Sequence, residues 1–487
     1  MQELGIGVTY VQGLERLIES HFSLINVIEV EPQTLWNVQD EKCDSFSLNR
    51  EQNDLLKSYA IPKIFHGVGY PIGGSVLPSH PFIITLLEHI EELQPVWFTE
   101  HLSFNRYFDG SEIVNTNFLL PPLQTEEGIN TAVAAINNYK KKLYLPFAFE
   151  TGANYLKPRK HELPDGFFVR HIADKADCNI LLDVHNLWTN QQNGRQSITD
   201  FINQLDLERI SEIHVAAGFY HRGYYLDAHS GVPDPEFMTI VERIVKELPA
   251  LKAIIFEIMP EYLQNVEDKE IKGQLERMNG IWEKRGRSYI KKTGKTVYEN
   301  FESHSKLFVG DWERTLGKLA IGFDMADSEL SSDLLNDKGM NILNELIFHS
   351  RASLLISSLK FTVRLLRLTI GKDVFNNCLV DFFKNTNPSL FPYSVAKKFL
   401  TYLSSKKEYE IKYLDDVAQF EIATIRSSVD KKIRKLHLDF DLFAVLEALS
   451  KFELPQSEIS HKEFFLEIRP DGQLEVLVKQ PDIAFSL

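Results

Sequence analysis

The sequence predicts an α/β fold in which a (β/α)8 barrel, also called a TIM barrel, precedes a mainly helical domain with a small C-terminal β element. Three observations predict it. Short β-rich apolar runs alternate with helical segments through the first part of the chain, the pattern then becomes helical, and it ends in two short strands. Alternation of strand and helix is typical of a parallel sheet, and eight such units in roughly 280 residues are typical of a closed barrel.

Eight runs rich in β-branched and aromatic residues predict the barrel strands. Segments such as Phe82–Ile90 and Phe237–Val245 lie between them and have helical periodicity. An open doubly wound sheet is the alternative, but no Gly-x-Gly-x-x-Gly motif follows the first run. The predicted strands are Gly5–Thr9, Ile25–Glu29, Lys63–Gly67, Val96–Glu100, Pro146–Glu150, Ile180–Val184, Ser211–Val215 and Ile254–Ile258.

The chain after the last predicted strand suggests a second domain. A helical stretch over 261–282 predicts the final barrel helix, and a polar segment rich in Lys, Arg and Glu follows it. We therefore expect a barrel domain at 1–290, a linker at 291–310 and a second domain at 311–487.

The second domain is expected to be helical first and to end in a β-hairpin. The pattern from Asn341 to Lys435 is mostly helical. Near the end, Phe464–Ile468 and Leu474–Val478 are separated by a Pro-Asp-Gly turn, which predicts two antiparallel strands.

Composition excludes several classes of protein. Among 487 residues, 53 are Lys or Arg and 68 are Asp or Glu, which gives a net charge of −15 without any Lys/Arg-rich block. Nucleic-acid binding needs a basic surface, and membrane anchoring needs a polybasic or long apolar segment, so neither is expected. The cysteines, Cys43, Cys178 and Cys378, are too few and too far apart for a disulfide framework or a thiolate zinc site, and we expect a cytoplasmic protein.

Polar side chains follow most of the predicted strands at the point where each strand ends. The carboxyl ends of barrel strands meet on one face, where catalytic groups lie, so these residues are expected to share one cavity. The candidates are His66, Glu100, His101, Glu150, Asp183, His185, Asn186, His214, Asp227, His229 and Glu257.

This mixture of residues indicates a metal site. Imidazole and carboxylate ligands together suit iron, manganese or zinc, and a mononuclear site needs only three or four of them. The larger number of candidates implies at least two metal ions, which would also neutralise the repulsion among the carboxylates. Glu100 is either a ligand or a residue that supports His101. A single His at a strand end is more often structural, so the prediction rests on the joint occurrence.

With these residues in view, the first 290 or so positions resemble the multinuclear non-haem iron-dependent oxidases, the family that contains the methanobactin biosynthesis oxidase. The order and spacing of several short motifs together support the resemblance. These motifs are Gly5-Ile-Gly7, His66-Gly67, Glu100-His101-Leu-Ser103, Glu150 with Asn154-Tyr155, Leu182-Asp183-Val-His-Asn186, Ile213-His214, Asp227-Ala-His229 and Glu257.

The resemblance implies a barrel that binds two or three irons, in mixed Fe(II)/Fe(III) states. It also implies use of dioxygen to modify a ribosomally made precursor peptide, commonly at Cys. Asp183, His214 and Glu257 become the candidate catalytic residues, Asn186 takes the position of a metal-contacting Asn, and His185 is an additional candidate ligand. The ligands it implies are His66, His101, Glu150, Asp183, His214, Asp227, His229 and Glu257.

Three positions depart from the family pattern. His185 stands where Asn is more common, Glu150 is followed by Thr-Gly, and His214 is followed by Val-Ala-Ala-Gly-Phe. These departures leave open which residues complete each iron's ligand set.

The second half resembles the partner protein that usually accompanies these oxidases as a separate chain. The similar segments are Pro388–Pro392, Phe399-Leu400 and Tyr413–Glu421. The resemblance implies a partner fused in cis, which would raise the effective concentration of the two functions, and strand addition near 464–478 could hold the peptide.

Two other functions remain open at this point. One is a zinc-, manganese- or magnesium-dependent barrel isomerase or phosphodiesterase, and the other is a non-catalytic protein that binds metal or peptide.

Overall fold

The computed structural model describes residues 1–40, 44–160, 162–286, 307–406, 411–455, 459, 461 and 463–477. The strands in chain order are β1 (Gly5–Tyr10), β2 (Val27–Val30), β3 (Trp36–Asp40), β4 (Ser45–Leu48), β5 (Lys63–Gly67), β6 (Phe98–His101), β7 (Phe104–Asp109), β8 (Glu112–Leu120), β9 (Phe147–Glu150), β10 (Asn179–Asp183), β11 (Ile210–Val215), β12 (Phe219–His221), β13 (Tyr224–Leu226), β14 (Ala253–Phe256), β15 (Arg434–Leu438), β16 (Phe464–Ile468) and β17 (Leu474–Val476).

The α-helices alternate with the strands in the first half and follow one another in the second. They are α1 (Glu15–Ser20), α2 (Arg50–Ser58), α3 (His80–Leu93), α4 (Glu126–Leu143), α5 (Asp165–Ala176), α6 (Val184–Gln192), α7 (Ile198–Gln204), α8 (Pro235–Val245), α9 (Asp268–Glu283), α10 (Val309–Ala320), α11 (Glu329–Leu335), α12 (Lys338–Ser358), α13 (Lys360–Ile370), α14 (Lys372–Lys384), α15 (Pro392–Ser404), α16 (Leu414–Asp430) and α17 (Leu442–Ser450). In the described part of the chain, none of these helices has the length and apolar character needed to cross a lipid bilayer.

Eight parallel strands close into the predicted barrel, in the order β1-β14-β11-β10-β9-β6-β5-β2. Each of the eight predicted runs overlaps one of these strands, so the barrel prediction is confirmed. Strands β1 and β11 are buried along their whole length, as expected of parallel strands that have side chains packed on both faces. The polar residues described below lie at or just beyond the carboxyl ends of the barrel strands.

Three hairpins that are not predicted from the sequence are inserted into the loops after β2, β6 and β11. They are the pairs β3–β4, β7–β8 and β12–β13. The last of them turns at Gly223, where φ is +83°, a conformation that favours glycine. The β12 and β13 strands have three residues each, too short to give a clear alternating pattern in the sequence.

The chain divides into two compact units. Unit 1 comprises 1–113, 118–317 and 326–342, and unit 2 comprises 114–117, 318–325 and 343–487. Most of α10 therefore belongs to the barrel unit, where Trp312 is buried and its indole N–H donates to the Pro121 carbonyl at 3.0 Å. Of the linker expected at 291–310, residues 291–306 lie outside the described residues.

Unit 2 is helical and ends in a small antiparallel sheet, as the sequence predicts. Strands β16 and β17 form the predicted hairpin, with Gly472 at φ +84° in the turn. The expected end of the second strand at Val478 lies outside the described residues. Strand β15 pairs with the other edge of β16, so β16 is the central strand of three.

Candidate metal centre

The sequence-predicted polar residues come together at the carboxyl ends of the barrel strands. Strand register explains part of this, because His101 is the pairing partner of Glu150 and Asp183 is the partner of His214. Glu257 directly follows β14. His66 lies in β5 and Glu100 in β6. The last four candidates come from α6 and from the loop after β13, and they are His185, Asn186, Asp227 and His229.

His66, His101 and Glu150 form the first group of possible ligands. The Glu150 Oε2 atom lies 2.8 Å from His101 Nε2 and 3.2 Å from His66 Nε2. The two imidazole Nε2 atoms are 3.2 Å apart. All three side chains are largely buried, with at most 14% of any of them exposed.

The other nitrogen of each imidazole in this group is already held. His101 Nδ1 donates to the Gly67 carbonyl at 2.8 Å. His66 Nδ1 lies 2.6 Å from Thr99 Oγ1, and that hydroxyl donates to the Phe65 carbonyl, so it accepts from His66. When the two rings are neutral, both Nε2 atoms therefore present lone pairs to each other and to a carboxylate, and either a proton or a metal ion between them would make this arrangement favourable.

His214 connects the first group to a second one, which includes Glu257. His214 Nε2 lies 3.0 Å from Glu29 Oε2, while Nδ1 lies 3.3 Å from Glu257 Oε2 and 3.8 Å from Glu150 Oε1. Glu29 is not among the predicted ligands, and its other oxygen accepts from the Thr9 hydroxyl at 2.9 Å. A fully buried acid inside the apolar run Val27–Val30 is the signal that identifies it.

Asp227 lies at the centre of the third group. Its Oδ1 atom is 2.9 Å from His185 Nδ1 and 3.0 Å from His229 Nε2, and its backbone N–H donates to the Tyr155 hydroxyl. The backbone of His229 is left-handed, with φ at 47°, which is costly for a residue other than glycine and is often found at functional sites.

His185 is oriented by Asp227. Its Nε2 atom is buried against Gly218, where an added Cβ would come within 3.1 Å of it. His185 can therefore support Asp227 through Nδ1 in the present arrangement, while Nε2 faces the wall formed by the loop after β11.

Asp183 and Asn186 each keep one oxygen free of hydrogen bonds. Asp183 Oδ1 caps α6 by accepting from the Asn186 backbone N–H at 2.9 Å. The Asn186 amide donates to Glu150 Oε1 at 3.3 Å and to the Thr151 carbonyl at 3.2 Å. The helix cap thus fixes Asp183 while leaving its Oδ2 available.

Glu100 supports the first group but is not itself a member of any of the three groups of possible ligands. Its Oε1 atom accepts from the His101 backbone N–H at 3.0 Å, and its Oε2 atom accepts from the Tyr139 hydroxyl at 3.3 Å. Gly67 makes room for it, because a Cβ at that position would collide with Glu100 Oε2.

Six buried atoms of the predicted residues form no hydrogen bond to any residue that the structure describes. A buried polar atom without a partner costs about 1–3 kcal/mol, so the five of them other than His185 Nε2, which faces the wall, indicate a missing partner of positive charge. The residues present therefore fit a metal ion. The atoms are Glu150 Oε2, Asp183 Oδ2, His185 Nε2, Asn186 Oδ1, His214 Nδ1 and Glu257 Oε2.

The carboxylates strongly perturb the protonation of the cavity. Burial would lower the pKa of His214, but Glu257 and Glu29 raise it well above its usual range. In the same way Asp227 and Glu257 outweigh burial at His229 and raise its pKa to about 10. Burial, followed by the charges of Glu150 and Glu257, raises the pKa of Asp183. A metal ion would displace these protons, so metal binding is expected to weaken as pH falls.

Several bacterial proteins are similar to this chain over part of its length. A UPF0276 protein of Streptomyces avermitilis is 28% identical over 198 residues, which is 40% of this chain and 41% of the relative. A UPF0276 protein of Acinetobacter baylyi is 31% identical, over 36% of this chain and 59% of the relative. This chain thus spans about half the length of those relatives.

Two solved structures illustrate a weak structural similarity. D-psicose 3-epimerase with D-tagatose from Clostridium cellulolyticum has a TM-score of 0.36 and 10% identity, covering 57% of this chain and 97% of the other. Endonuclease IV from Thermus thermophilus has a TM-score of 0.36 and 12% identity, covering 57% of this chain and 99% of the other. Similarity at this level does not bear on activity.

Residues 5–265 match the family described as the RiPP precursor modification enzymes MbnB/TglH/ChrH. RiPPs are ribosomally synthesised and post-translationally modified peptides. The match spans more than half of the chain and includes every predicted ligand. This chain belongs to the MbnB/TglH/ChrH family of RiPP precursor modification enzymes.

Proposed function

We propose that this protein is a dioxygen-dependent, multinuclear non-haem iron enzyme that oxidatively modifies a ribosomally synthesised precursor peptide at a cysteine residue. The observation that supports it best is the pair of imidazole Nε2 atoms, from His66 and His101, facing each other and Glu150 in a buried cavity. In a chain of this family, such a cavity is best explained as a metal centre that acts on a peptide.

The donor set favours iron over the hard divalent cations. Imidazole nitrogens and carboxylate oxygens together suit iron, whereas magnesium and calcium prefer oxygen alone. Three sets of residues, which differ in part from the groups described above, have ligand atoms within 4.8 Å of one another: His66, Glu150 and His214; Glu29, His214 and Glu257; and His185, Asp227 and His229. Two or three iron ions, in mixed Fe(II)/Fe(III) states, would occupy this cavity.

Iron would supply the redox chemistry with dioxygen, and the protein's own residues would supply position, charge and shielding from water. Thr99 and the Gly67 carbonyl orient His66 and His101, and Glu29 orients His214. The candidate catalytic residues Asp183, His214 and Glu257 would hold positive charge in the cavity.

Unit 2 is proposed to engage the precursor peptide in cis, in place of a separate partner protein. Both edges of β16 are already paired, so an added peptide strand would have to use an outer edge of the sheet. Strand β17 is the better candidate, because all three of its residues are exposed.

Co-expression with a precursor peptide tests this function. Short reading frames beside the gene supply the candidate peptides, and mass spectrometry of each peptide, made with and without dioxygen, reports the modification. We expect a mass change on a Cys-containing peptide that requires dioxygen and is lost in Asp183→Asn. Asp206→Asn is the matched control, because Asp206 also caps a helical turn but lies before β11, at the opposite end of the barrel.

Two results would contradict the proposal. One is a protein that contains only zinc and behaves identically with and without air, as expected of a barrel isomerase or phosphodiesterase. The other is an iron-loaded protein that binds a peptide and leaves its mass unchanged, as expected of a binding protein.

A further inference from the structure

Unit 2 contains a buried arginine whose hydrogen-bond acceptors are all neutral. Arg351 lies on α12 and is 8% exposed. One of its terminal nitrogens donates to the carbonyls of Ile321 at 3.3 Å and Phe383 at 3.1 Å, and the other donates to the Thr386 carbonyl at 2.6 Å. The guanidinium also stacks on the Phe383 ring, 4.3 Å from its centroid.

Among the residues that the structure describes, Arg351 has no counter-charge nearby. Within the described ranges of the chain, no carboxylate lies within ion-pair distance of its guanidinium, unlike the buried Arg195, which contacts Asp165. Burial lowers the pKa of Arg351 to about 9, and no neighbouring charge offsets that effect. Buried charges are normally paired, because an unpaired one loses its hydration without compensation.

A cavity of about 90 Å³ adjoins this guanidinium. Its walls combine apolar side chains with a second cation, Lys398, whose ammonium group donates to the carbonyls of Asn387 at 3.2 Å and Pro388 at 3.4 Å. No acidic residue is among the described residues that line it. One water molecule needs roughly 10–15 Å³ of cavity volume, so this cavity has room for a carboxylate and several carbons. The apolar part of its lining is Leu354, Phe382, Phe383, Leu390 and Val395.

We propose that this cavity binds a carboxylate on an apolar stem, with Arg351 as its main partner and Lys398 as a second one. The planar guanidinium suits a carboxylate, and the apolar walls suit the carbons attached to it. A peptide offers such a group in two ways, as a chain-terminal carboxylate or as an acidic side chain. The inference is independent of the iron chemistry proposed above, because it concerns a cavity within unit 2.

Arg351 also caps the carbonyls at the end of α14, and that role alone would account for its hydrogen bonds. A capping role makes a different prediction, because it requires no ligand in the cavity. A binding experiment therefore separates the two roles.

The test is a ligand-observed NMR titration of the full chain without added metal. N-acetyl-leucine presents a terminal carboxylate, and N-acetyl-glutamate α-amide presents a side-chain carboxylate. Their neutral counterparts are N-acetyl-leucinamide and N-acetyl-glutamine amide. We expect at least one acid to bind about tenfold more tightly than its neutral counterpart, and the tighter acid identifies the source of the carboxylate. Equal affinity of acids and amides, or no binding of either acid, would overturn the proposal.

Variants locate the binding. Arg351→Leu should abolish the preference for the acid, and Lys398→Met should weaken acid binding about threefold to tenfold. Lys397→Met is the matched control, because Lys397 is exposed on the same helix and does not line the cavity. If Arg351→Leu fails to fold, the comparison of Lys398→Met with Lys397→Met still shows whether the acid binds in this cavity. Acid binding that is equal in the Lys398 and Lys397 variants and in wild type would place the ligand elsewhere and overturn the proposal.

Discussion

Glu29 shows how much of the centre depends on residues outside the predicted ligand set. Its carboxylate accepts from His214 Nε2, which leaves the Nδ1 lone pair facing Glu150 and Glu257. Partners of this kind fix the tautomer of a ligating imidazole and raise its basicity. Glu29 therefore determines which His214 nitrogen faces the cavity.

Replacing Glu29 with Gln should lower metal affinity by about 10- to 100-fold, because the amide can donate to Nε2 and favour the wrong tautomer. Metal titration of the purified protein measures this directly. Asp165→Asn is the comparison, since Asp165 is also buried but pairs with Arg195. Similar losses in both variants would show that Glu29 acts only through general burial of charge.

For individual side chains, the sequence predicts which residues meet but not how each one is oriented. The ends of barrel strands converge by topology, so His66, His101 and Glu150 could be brought together from sequence alone. Glu29 also ends a predicted strand, but nothing in the sequence indicates that its carboxylate binds His214 Nε2. The orientation of the His185 ring toward Asp227 likewise depends on a distant residue, Gly218, which packs closely against His185 Nε2.

Among the elements, α10 is attached to the barrel by a buried acid. Both carboxylate oxygens of Glu313 accept from Ser75, one from its backbone N–H at 2.6 Å and the other from its hydroxyl. Ser75 belongs to the loop between β5 and α3, which follows the His66 strand. Burial raises the pKa of Glu313 from 4.5 to about 7 despite these two hydrogen bonds.

This shift predicts a pH-dependent stability. Between about pH 4.5 and pH 7 the folded state binds more protons at Glu313 than the unfolded state, so its contribution is present below that range and is lost as pH rises. At about 1.4 kcal/mol for each pKa unit, the loss amounts to roughly 3 kcal/mol. The free energy of unfolding, measured from about pH 5 to pH 8, should fall more steeply in wild type than in Glu313→Gln. Parallel curves would contradict the assignment.

Short elements mark the limit of sequence reasoning about the fold. The eight barrel strands have strong apolar runs and are all predicted. Strand β15 has a mixed pattern, Arg-Lys-Leu-His-Leu, in which only two of five residues are buried. The predicted helical pattern ends at Lys435, inside this strand, and no strand is predicted there. Its identity as a strand depends on pairing with β16.

For the whole molecule, the barrel unit extends beyond the segment that matches the family. The family match ends at 265, yet residues 309–317 and 326–342 belong to the same compact unit. Trp312 is 1% exposed there, with Arg159 5.2 Å from its ring. The barrel therefore depends for stability on residues that a family-based boundary would remove.

Trp312→Ala should destabilise the barrel unit by about 3–5 kcal/mol, the usual cost of removing a buried Trp. Hydrogen exchange during a denaturant titration resolves the two units, and peptides from the barrel strands should lose protection early. Phe308→Ala is the control, because Phe308 is 65% exposed immediately before the same helix. An unchanged barrel in Trp312→Ala would contradict this boundary.

The most direct test of the proposed function is the metal content of the whole protein. The protein is purified without dioxygen, and its metals are counted by elemental mass spectrometry. We predict two or three iron ions per chain, and a loss of about one ion in Asp183→Asn but not in Asp206→Asn. A protein that holds only zinc, or a single ion whose binding does not depend on Asp183, would contradict the multinuclear iron centre.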